Sequence, residues 1–275
     1  MRISVIIPVG DESAWKCCRQ SLEVSLGGLG QDSGIEFEIL ACFDLKHEGA
    51  YLARNDGLSK AKGDWISWVD CDDIVERDWA KEIAEATIAH PDVDIIQFDT
   101  FENWNGNTRL VAYRHKGAVD SDVFARELLR NDGMPAWLWT RVFKRNLFDG
   151  VSFEGRVKHD YGMFLRILPR VRSVWAIGKP LYRYERNGNG LSAYAQQMDY
   201  AVAGVGFEKS IADLPSAWRH DGNVGLALTM ADVARHSRCK NGSRHFVRKY
   251  LRDVILDAKV PMRLKIKVML AAIGV

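Results

Sequence analysis

The first hundred residues alternate short apolar runs with helical patterns, and this alternation limits the folds that the chain can adopt. The apolar runs are short, continuous and rich in β-branched residues, as buried parallel strands are. The predicted strands are Ile3–Val9, Phe37–Phe43, Trp65–Val69 and Val93–Phe98. The predicted helices are Ser13–Leu26, with Ser13 as its N-cap, Tyr51–Ala61 and Asp78–Ala89. This order predicts an α/β fold with a mostly parallel sheet and flanking helices.

The rest of the chain has a mixed middle and a helical end. We predict helices at Asp122–Arg130 and Asp160–Leu168 and short strands at Val174–Ile177 and Leu181–Tyr184. From about Ser192 the pattern is helical. The predicted domains are therefore an α/β domain over 1–192 and a helical C-terminal extension over 193–275.

Composition excludes several classes of protein. A formal net charge of +2 gives no indication of a nucleic-acid partner. The five cysteines are odd in number and fit no zinc or redox spacing. The first residues lack the apolar core of a signal peptide, and no stretch is long enough to span a bilayer. These features predict a cytoplasmic protein.

Polar residues follow each of the first three predicted strands. Pro8 to Glu12 follow the first, Asp44 ends the second, and Asp70 to Asp73 end the third. Ligands of such sheets bind at the carboxyl ends of the strands. The crowded carboxylates would repel one another unless a cation neutralised them, and Mg²⁺ or Mn²⁺ prefers oxygen ligands. The motif alone fits a solvated acidic turn equally well, but its position after a buried strand favours a site.

Several segments of the sequence, including the acidic cluster, resemble those of a known family. The segments Ala53–Leu58, Ala61–Ile66 and Asp70–Asp73 are similar to the "ARNxGL…AxGxYI…DxDD" signature of family 2 glycosyltransferases, and Ser4–Val9 is similar to its opening strand. Further segments extend the resemblance from about Ile3 to Ser192. They are Trp139–Arg145 ("WNKLYKR"), His159-Asp160 with Phe164 and Leu165 ("ED…F"), Pro180–Tyr184 ("PLYYY") and Leu191-Ser192.

The resemblance implies a GT-A (Rossmann-like) fold and an inverting glycosyltransferase of bacterial cell-surface polysaccharide assembly. It implies a nucleotide-sugar donor, most often a UDP-sugar, a Mn²⁺ or Mg²⁺ cofactor, and a saccharide or lipid-linked acceptor. By this resemblance, Pro8 and Val9 line the base pocket and Asp44 belongs to the base-reading motif. Arg54 lies near the nucleotide, Cys71 lies in the donor site, and Asp70 lies beside the ribose or the metal. Asp72 binds the metal, and Asp160 is the catalytic base. A placed carboxylate can accept the proton of an acceptor hydroxyl.

The chain departs from the family pattern in three places, the first being Gly10-Asp11 where the family usually shows "YN". Only Asp44 remains of the base-reading "DDGSTD" motif, which makes the uridine preference an open question. His159 replaces the glutamate before the catalytic aspartate. It would place a titratable cation beside Asp160 or lie exposed in a loop, and the exposed loop is favoured. Asp160 itself would serve as a simple first-turn acid without the resemblance.

Two other features have functional and structural interpretations. Trp137 and Trp139 could stack on a sugar or pack in the core, and a functional role for one of them is favoured because they flank the family-like segment. Between Arg235 and Lys267 the chain has eleven Lys or Arg against two Asp, and Met262 to Ile273 mixes basic and apolar residues. A peripheral membrane contact and a docked terminal helix are equally consistent with this pattern.

Two other functions are alternatives to a glycosyltransferase: a nucleotidyltransferase and a non-catalytic binding module. A nucleotidyltransferase would share the sheet and the metal, but it would carry a basic glycine-rich loop where this chain has the acidic Gly10-Asp11-Glu12. A degenerate sugar- or nucleotide-binding module would explain the altered second motif, whereas the intact Asp70–Asp73 cluster and Asp160 argue against it.

Overall fold

The computed structural model describes residues 1–30, 34–44, 46, 48–132, 135–186, 200–236 and 240–274. The chain divides into two units of interleaved segments. Unit 1 comprises 1–121, 137–154 and 170–187, and unit 2 comprises 122–136, 155–169 and 188–275. The predicted domain boundary at residue 192 lies outside the described residues and stays a prediction.

Unit 1 is built on a mixed sheet, which has nine strands among the described residues. The strands are β1 (Arg2–Val9), β2 (Glu36–Phe43), β3 (Trp65–Trp68), β4 (Ile74–Val75), β5 (Ile95–Trp104), β6 (Asn107–Val111), β7 (Gly117–Asp120), β8 (Arg141–Lys144) and β9 (Ser173–Glu185). The main path runs β2-β1-β3-β8-β5-β9-β4, with β6 on β5 and β7 on β9. The pairs β1–β2, β1–β3 and β5–β9 are parallel, and the other five pairs among the described strands are antiparallel. The predicted α/β sheet with flanking helices is confirmed, with parallel pairing among its first three strands.

The strands missed in the sequence are short or pair antiparallel with distant partners. β8 inserts between β3 and β5, antiparallel to both, and the two-residue β4 pairs with the end of β9. The two short strands predicted between Val174 and Tyr184 form one strand, β9. This strand continues through Gly178, at φ +69°, with register shifts against β5. The glycine explains why the sequence pattern breaks there while the pairing does not.

The predicted helices of unit 1 are confirmed as α1 (Glu12–Gly27), α2 (Ala50–Lys60) and α3 (Trp79–Ala89). The predicted cap of α1 was wrong by two residues. Asp11 is the N-cap, and its carboxylate accepts hydrogen bonds from the backbone amide of Ser13 at 2.8 Å and from the Ser13 hydroxyl at 2.7 Å. An aspartate satisfies a free helix amide and also favours the positive end of the helix dipole.

Helix α2 packs on β1 and β2 through Gly57, and a side chain there would not fit. A Cβ at this position would lie 2.3 Å from Ile6 Cγ2 and 3.0 Å from Cys42 Sγ. Ile6 is fully buried in the central strand β1 and cannot move away. Gly57 therefore sets the separation of α2 from the sheet, which in turn fixes where the preceding turn of α2 meets the strand ends.

The described secondary structure of unit 2 consists of helices and short loops, which confirms the predicted helical C-terminal region. Its helices are α4 (Ser121–Arg130), α5 (His159–Ile167), α6 (Tyr200–Ala212), α7 (Ser216–His236), α8 (Lys240–Lys249), α9 (Leu251–Leu256) and α10 (Met262–Ile273). No helix among the residues that the structure describes is both long enough and apolar enough to cross a membrane.

A charged network joins three helices of unit 2. The buried carboxylate of Asp221 on α7 accepts hydrogen bonds from Arg126 and Arg130 on α4. Arg130 also donates to Asp257, which follows α9 and contacts His220 at 3.0 Å. A buried carboxylate is stable only when cations and donors compensate it. α4 is therefore an integral part of unit 2 although it lies far from the C-terminal helices in sequence.

We predict that Gly57→Ala lowers the free energy of unfolding by about 1–3 kcal/mol, because overpacking outweighs the higher helix propensity of alanine. Urea unfolding followed by tryptophan fluorescence measures this effect in unit 1, which holds eight of the nine tryptophans. Gly27→Ala is the matched control, since a Cβ there meets no atom within 4 Å. Equal midpoints for the two variants would contradict the packing role of Gly57.

Candidate active site

The carboxyl ends of three neighbouring strands bring the predicted donor-site residues to one edge of unit 1. β1 pairs in parallel register with β2, ending at Val9 opposite Phe43, and the Asp44 amide donates to the Val9 carbonyl at 2.8 Å. β3 pairs in parallel on the other side of β1, and the Val69 amide donates to the Ile6 carbonyl at 3.1 Å. The acidic cluster Asp70–Asp73 follows directly. This edge is the position at which parallel α/β sheets bind ligands.

Asp73 is the structural member of the acidic cluster. Its side chain is 1% exposed and accepts hydrogen bonds from the Tyr182 hydroxyl at 2.8 Å and from the Glu185 amide at 2.8 Å. Burial, together with the charges of Asp70 and Asp72, raises the pKa of Asp73 well above its usual value. The same Tyr182 hydroxyl accepts a hydrogen bond from the Asp70 amide at 3.0 Å. Tyr182 thus fixes both ends of the Asp70–Asp73 turn.

Asp70 is held by a buried arginine. The guanidinium of Arg54, on α2, donates from Nη2 to Asp70 Oδ1 at 2.6 Å. The Arg54 side chain is 4% exposed and that of Asp70 is 26% exposed, so the pair lies where the protein interior meets solvent. A charge-assisted bond of this kind orients the carboxylate and compensates its charge.

Neighbouring residues of α2 hold the same region together. The Asn55 side chain accepts from the Phe153 amide at 2.7 Å and donates to the Phe153 carbonyl at 2.9 Å. The Phe153 ring also lies 6.0 Å from the Arg54 guanidinium. The Arg54-Asn55 pair in the sequence therefore fixes two different chain segments, one through each side chain.

Asp72, like Asp70, is a half-buried carboxylate of the cluster. Among the residues that the structure describes, no group of three or more His, Cys, Asp or Glu side chains is arranged to hold a metal ion by itself. Asp72 and Asp70 supply carboxylate oxygens, which suit Mg²⁺ or Mn²⁺, and such ions are commonly held by one or two carboxylates completed by substrate phosphates and water. The chemistry of this pair fits a metal that binds together with a diphosphate.

The remaining predicted donor-site residues have side chains engaged in the fold. Both carboxylate oxygens of Asp44 accept backbone hydrogen bonds, from Glu48 at 2.8 Å and from Gly49 at 2.7 Å. Val9 and Cys71 belong to the hydrophobic core, and Pro8 is buried. Burial raises the pKa of the Cys71 thiol. The side chains of these four residues therefore contribute to the structure of unit 1 at this edge.

An aromatic stack adjoins the acidic cluster. Trp139 stacks on Tyr182 with ring centroids 4.6 Å apart, and Trp137 stacks on Trp139 at 4.7 Å. Tyr184 lies 5.2 Å from Trp139. Trp139 is buried, in agreement with a packing role, whereas Trp137 is partly exposed and forms the outer member of the stack.

Asp160 lies in unit 2, in the first turn of α5 as predicted. The chain enters α5 through Lys158 in the left-handed conformation, at φ 47°. The expectation that His159 is an exposed loop residue was wrong. His159 is 9% exposed and helical, with its Nε2 3.2 Å from Asp160 Oδ1. Tyr161 anchors the same turn, because its buried ring packs edge-on against Phe207 at 5.3 Å.

Comparisons with known proteins agree with this architecture. Residues 39–150 match the family model described as "Glycosyl transferase family 2". Over these residues the chain is similar to family 2 glycosyltransferases. An alignment of 162 positions, which covers 54% of the chain, gives 22% identity to Glycosyltransferase GlyA from Streptococcus pneumoniae serotype 4. The match spans only 23% of the length of that relative.

Solved structures show the same fold. The whole chain superposes on 88% of S. aureus TarS 1–349 in complex with UDP-GlcNAc, with a TM-score of 0.70 and 15% identity. The UDP complex of the same protein gives a TM-score of 0.70 at 14% identity. The predicted GT-A fold is thereby confirmed.

Sequence reasoning missed Tyr182 and Asn55 as residues that build the site. Both lie in segments that resemble the family, "PLYYY" and "ARNxGL", so the resemblance marked their positions without indicating their contacts. Tyr182 lies more than one hundred residues from the cluster it supports, and no local pattern connects the two.

We predict that Tyr182→Phe lowers the free energy of unfolding by about 1–3 kcal/mol, because it leaves the Asp73 carboxylate and the Asp70 amide each without one partner. Urea unfolding monitored by tryptophan fluorescence measures the loss. Tyr51→Phe, on the half-buried surface of α2, is the control and should change little. A Tyr182 variant as stable as this control would show that the hydroxyl does not support the cluster.

Proposed function

We propose that this protein is an inverting glycosyltransferase that moves a sugar from a UDP-sugar to an acceptor hydroxyl in the assembly of a cell-surface polysaccharide. The reaction takes place on the cytoplasmic side, where nucleotide sugars are available. The TarS complexes with UDP-GlcNAc and UDP support a UDP-sugar as donor, since their chain shares this fold. The acceptor is a saccharide or a lipid-linked saccharide.

The observation that carries the proposal is the oriented Arg54–Asp70 pair beside Asp72 at the carboxyl edge of β1 and β3. A leaving nucleoside diphosphate carries several negative charges. It needs cations at the place where the charge develops, and a buried arginine and a carboxylate-bound metal are two such sources. The remaining carboxylate, Asp73, is internally satisfied, which leaves Asp72 and Asp70 for the metal and donor.

Asp72, with Asp70, would hold Mn²⁺ or Mg²⁺ through carboxylate oxygens. When bound, the metal supplies Lewis-acid stabilisation of the departing diphosphate. Arg54 keeps Asp70 oriented in the absence and presence of the donor, since its own contact lies within the fold. This division of roles makes Asp72 the residue whose loss should affect metal-dependent binding most directly.

Asp160 serves as the base that accepts the proton of the acceptor hydroxyl as the new glycosidic bond forms. Its place in the first turn of a helix favours the ionised carboxylate that a base requires. His159, 3.2 Å away, restricts the orientation of this carboxylate. Direct displacement by the activated hydroxyl inverts the anomeric centre.

The partly exposed Trp137 provides an apolar face for a sugar. The stack behind it, through Trp139 to Tyr182, holds its ring plane fixed relative to the acidic cluster. Aromatic faces suit the C–H surfaces of pyranose rings, and a rigid ring binds them at low entropic cost. Trp137 is therefore the side chain of unit 1 that we assign to sugar contact.

We predict that Asp72→Asn weakens UDP binding roughly tenfold or more in the presence of Mn²⁺ and leaves metal-free binding unchanged, because a neutral amide is a poor ligand for a hard cation. Isothermal titration calorimetry with UDP, with Mn²⁺ or with EDTA, measures both affinities. Asp92→Asn, an exposed carboxylate of unit 1, is the control. Equal UDP affinity with Mn²⁺ and with EDTA in the unaltered chain would contradict the metal role.

We predict that Asp160→Asn slows UDP release from UDP-GlcNAc by roughly 100-fold or more, as the loss of a general base does. UDP affinity should stay within a factor of about two, because the change leaves unit 1 intact. Coupled detection of UDP measures turnover, with Asp213→Asn as an exposed control in unit 2. Nucleotide binding without turnover in every chain, the unaltered one included, would instead identify a non-catalytic binding module.

A further inference from the structure

Helix α10 exposes a continuous row of large apolar side chains. Met262, Ile266, Met269 and Ile273 are 67%, 47%, 39% and 71% exposed, and their spacing places them along one side of the helix. We call these four residues the apolar stripe. The opposite side of the helix is packed, since Val268, Ala271 and Ala272 are buried. Exposed apolar residues arranged contiguously in this way mark an interaction surface.

The apolar stripe is held outward by specific contacts. Arg248 Nε donates to the Ala272 carbonyl at 2.8 Å and Arg244 Nη2 donates to the Gly274 carbonyl at 3.2 Å, which satisfies the C-terminal end of α10. Lys265 Nζ donates to the Ile255 carbonyl at 2.7 Å, and Lys267 pairs with Asp232. The orientation of α10 on unit 2 is therefore fixed, and the stripe does not result from a helix that lacks contacts.

Basic residues border the apolar stripe on both sides. The helical repeat places Arg263 and Lys267 along one side and Lys265 along the other, and α10 contains no acidic residue. Arg263 is exposed, as is Lys259 just before the helix. Arg244 and Arg248 add positive charge at the C-terminal end. The whole stretch from Arg235 to Lys267 has eleven basic residues against two acidic ones.

We propose that the apolar stripe of α10 and its basic borders bind the surface of an anionic lipid bilayer, with the helix parallel to the membrane plane. The apolar side chains would enter the boundary between headgroups and acyl chains, and the exposed Arg263 and Lys259 would extend to the phosphates. Lys265 and Lys267 would keep their contacts within unit 2. The positive borders match the negative charge of anionic lipids, and each cation near such a surface adds to the attraction. The contact would hold the enzyme beside a lipid-linked acceptor.

Vesicle sedimentation tests this proposal with the whole chain and without substrate. We expect binding to vesicles of phosphatidylcholine mixed with phosphatidylglycerol, much weaker binding to phosphatidylcholine alone, and loss of binding as salt is raised. The double change Ile266→Glu and Met269→Glu should lower the partition coefficient roughly tenfold or more. The matched control carries Val24→Glu and Ile88→Glu, two side chains that are each 54% exposed on helices of unit 1.

Four results would overturn the proposal. They are equal binding of the stripe variant and the control, equal binding to neutral and anionic vesicles, no sedimentation of the unaltered chain, and a concentration-dependent dimer that the stripe variant alone abolishes without any vesicle binding. The last would assign the stripe to a second copy of the chain. Vesicle binding is independent of UDP binding and turnover, so its failure and the failure of the proposed transfer reaction are distinguishable.

Discussion

The close packing of α2 against the central strands is the constraint on which the site in unit 1 depends. Gly57 lets the helix approach Ile6 without a side chain between them. Only at this separation does Arg54, one turn earlier, reach Asp70 at 2.6 Å from inside the protein. Asn55 then fixes the backbone of Phe153. The segment that matches "ARNxGL" therefore acts as one structural element. Gly57 sets the distance between α2 and the sheet, and the contacts of Arg54 and Asn55 depend on that distance.

Electrostatics explains why three neighbouring carboxylates can serve one site. Three uncompensated negative charges so close together would destabilise the folded state, and each carboxylate has a different environment in the structure. Asp73 is buried with two hydrogen-bond donors and a raised pKa, and Asp70 is compensated by Arg54. Asp72 is left half-buried at the edge. The first two carboxylates form a fixed frame, and the local negative potential is concentrated where a cation and a diphosphate would meet solvent.

The sequence predicted the elements whose signal is local. β1, β2 and β3 were recognisable because they are short, buried and apolar, and the helices between them because of their periodicity. β8 and β4 were missed because their pairing depends on strands far away in the chain. The same limit applies to the site, since neither the Tyr182 hydroxyl beneath Asp70–Asp73 nor the burial of His159 has a local signature. The roles of the predicted site residues remain predictions for all of Pro8, Val9, Asp44, Arg54, Asp70, Cys71, Asp72 and Asp160.

Unit 2 is built from three separate segments of the chain, so removing any one of them from the protein would affect the others. The buried carboxylate of Asp221 needs Arg126 and Arg130, which enter with α4, and Tyr161 of α5 packs on Phe207 of α6. A chain cut at residue 192 would leave two arginines without their carboxylates and one face of α5 uncovered. Removing one partner of a buried charge pair costs far more than the pair contributes. The helix that carries Asp160 packs on α6, and α10, which carries the apolar stripe, packs on the other C-terminal helices of the same unit. Because truncation would disturb both, single exposed substitutions separate the role of Asp160 from that of the stripe better than truncation does.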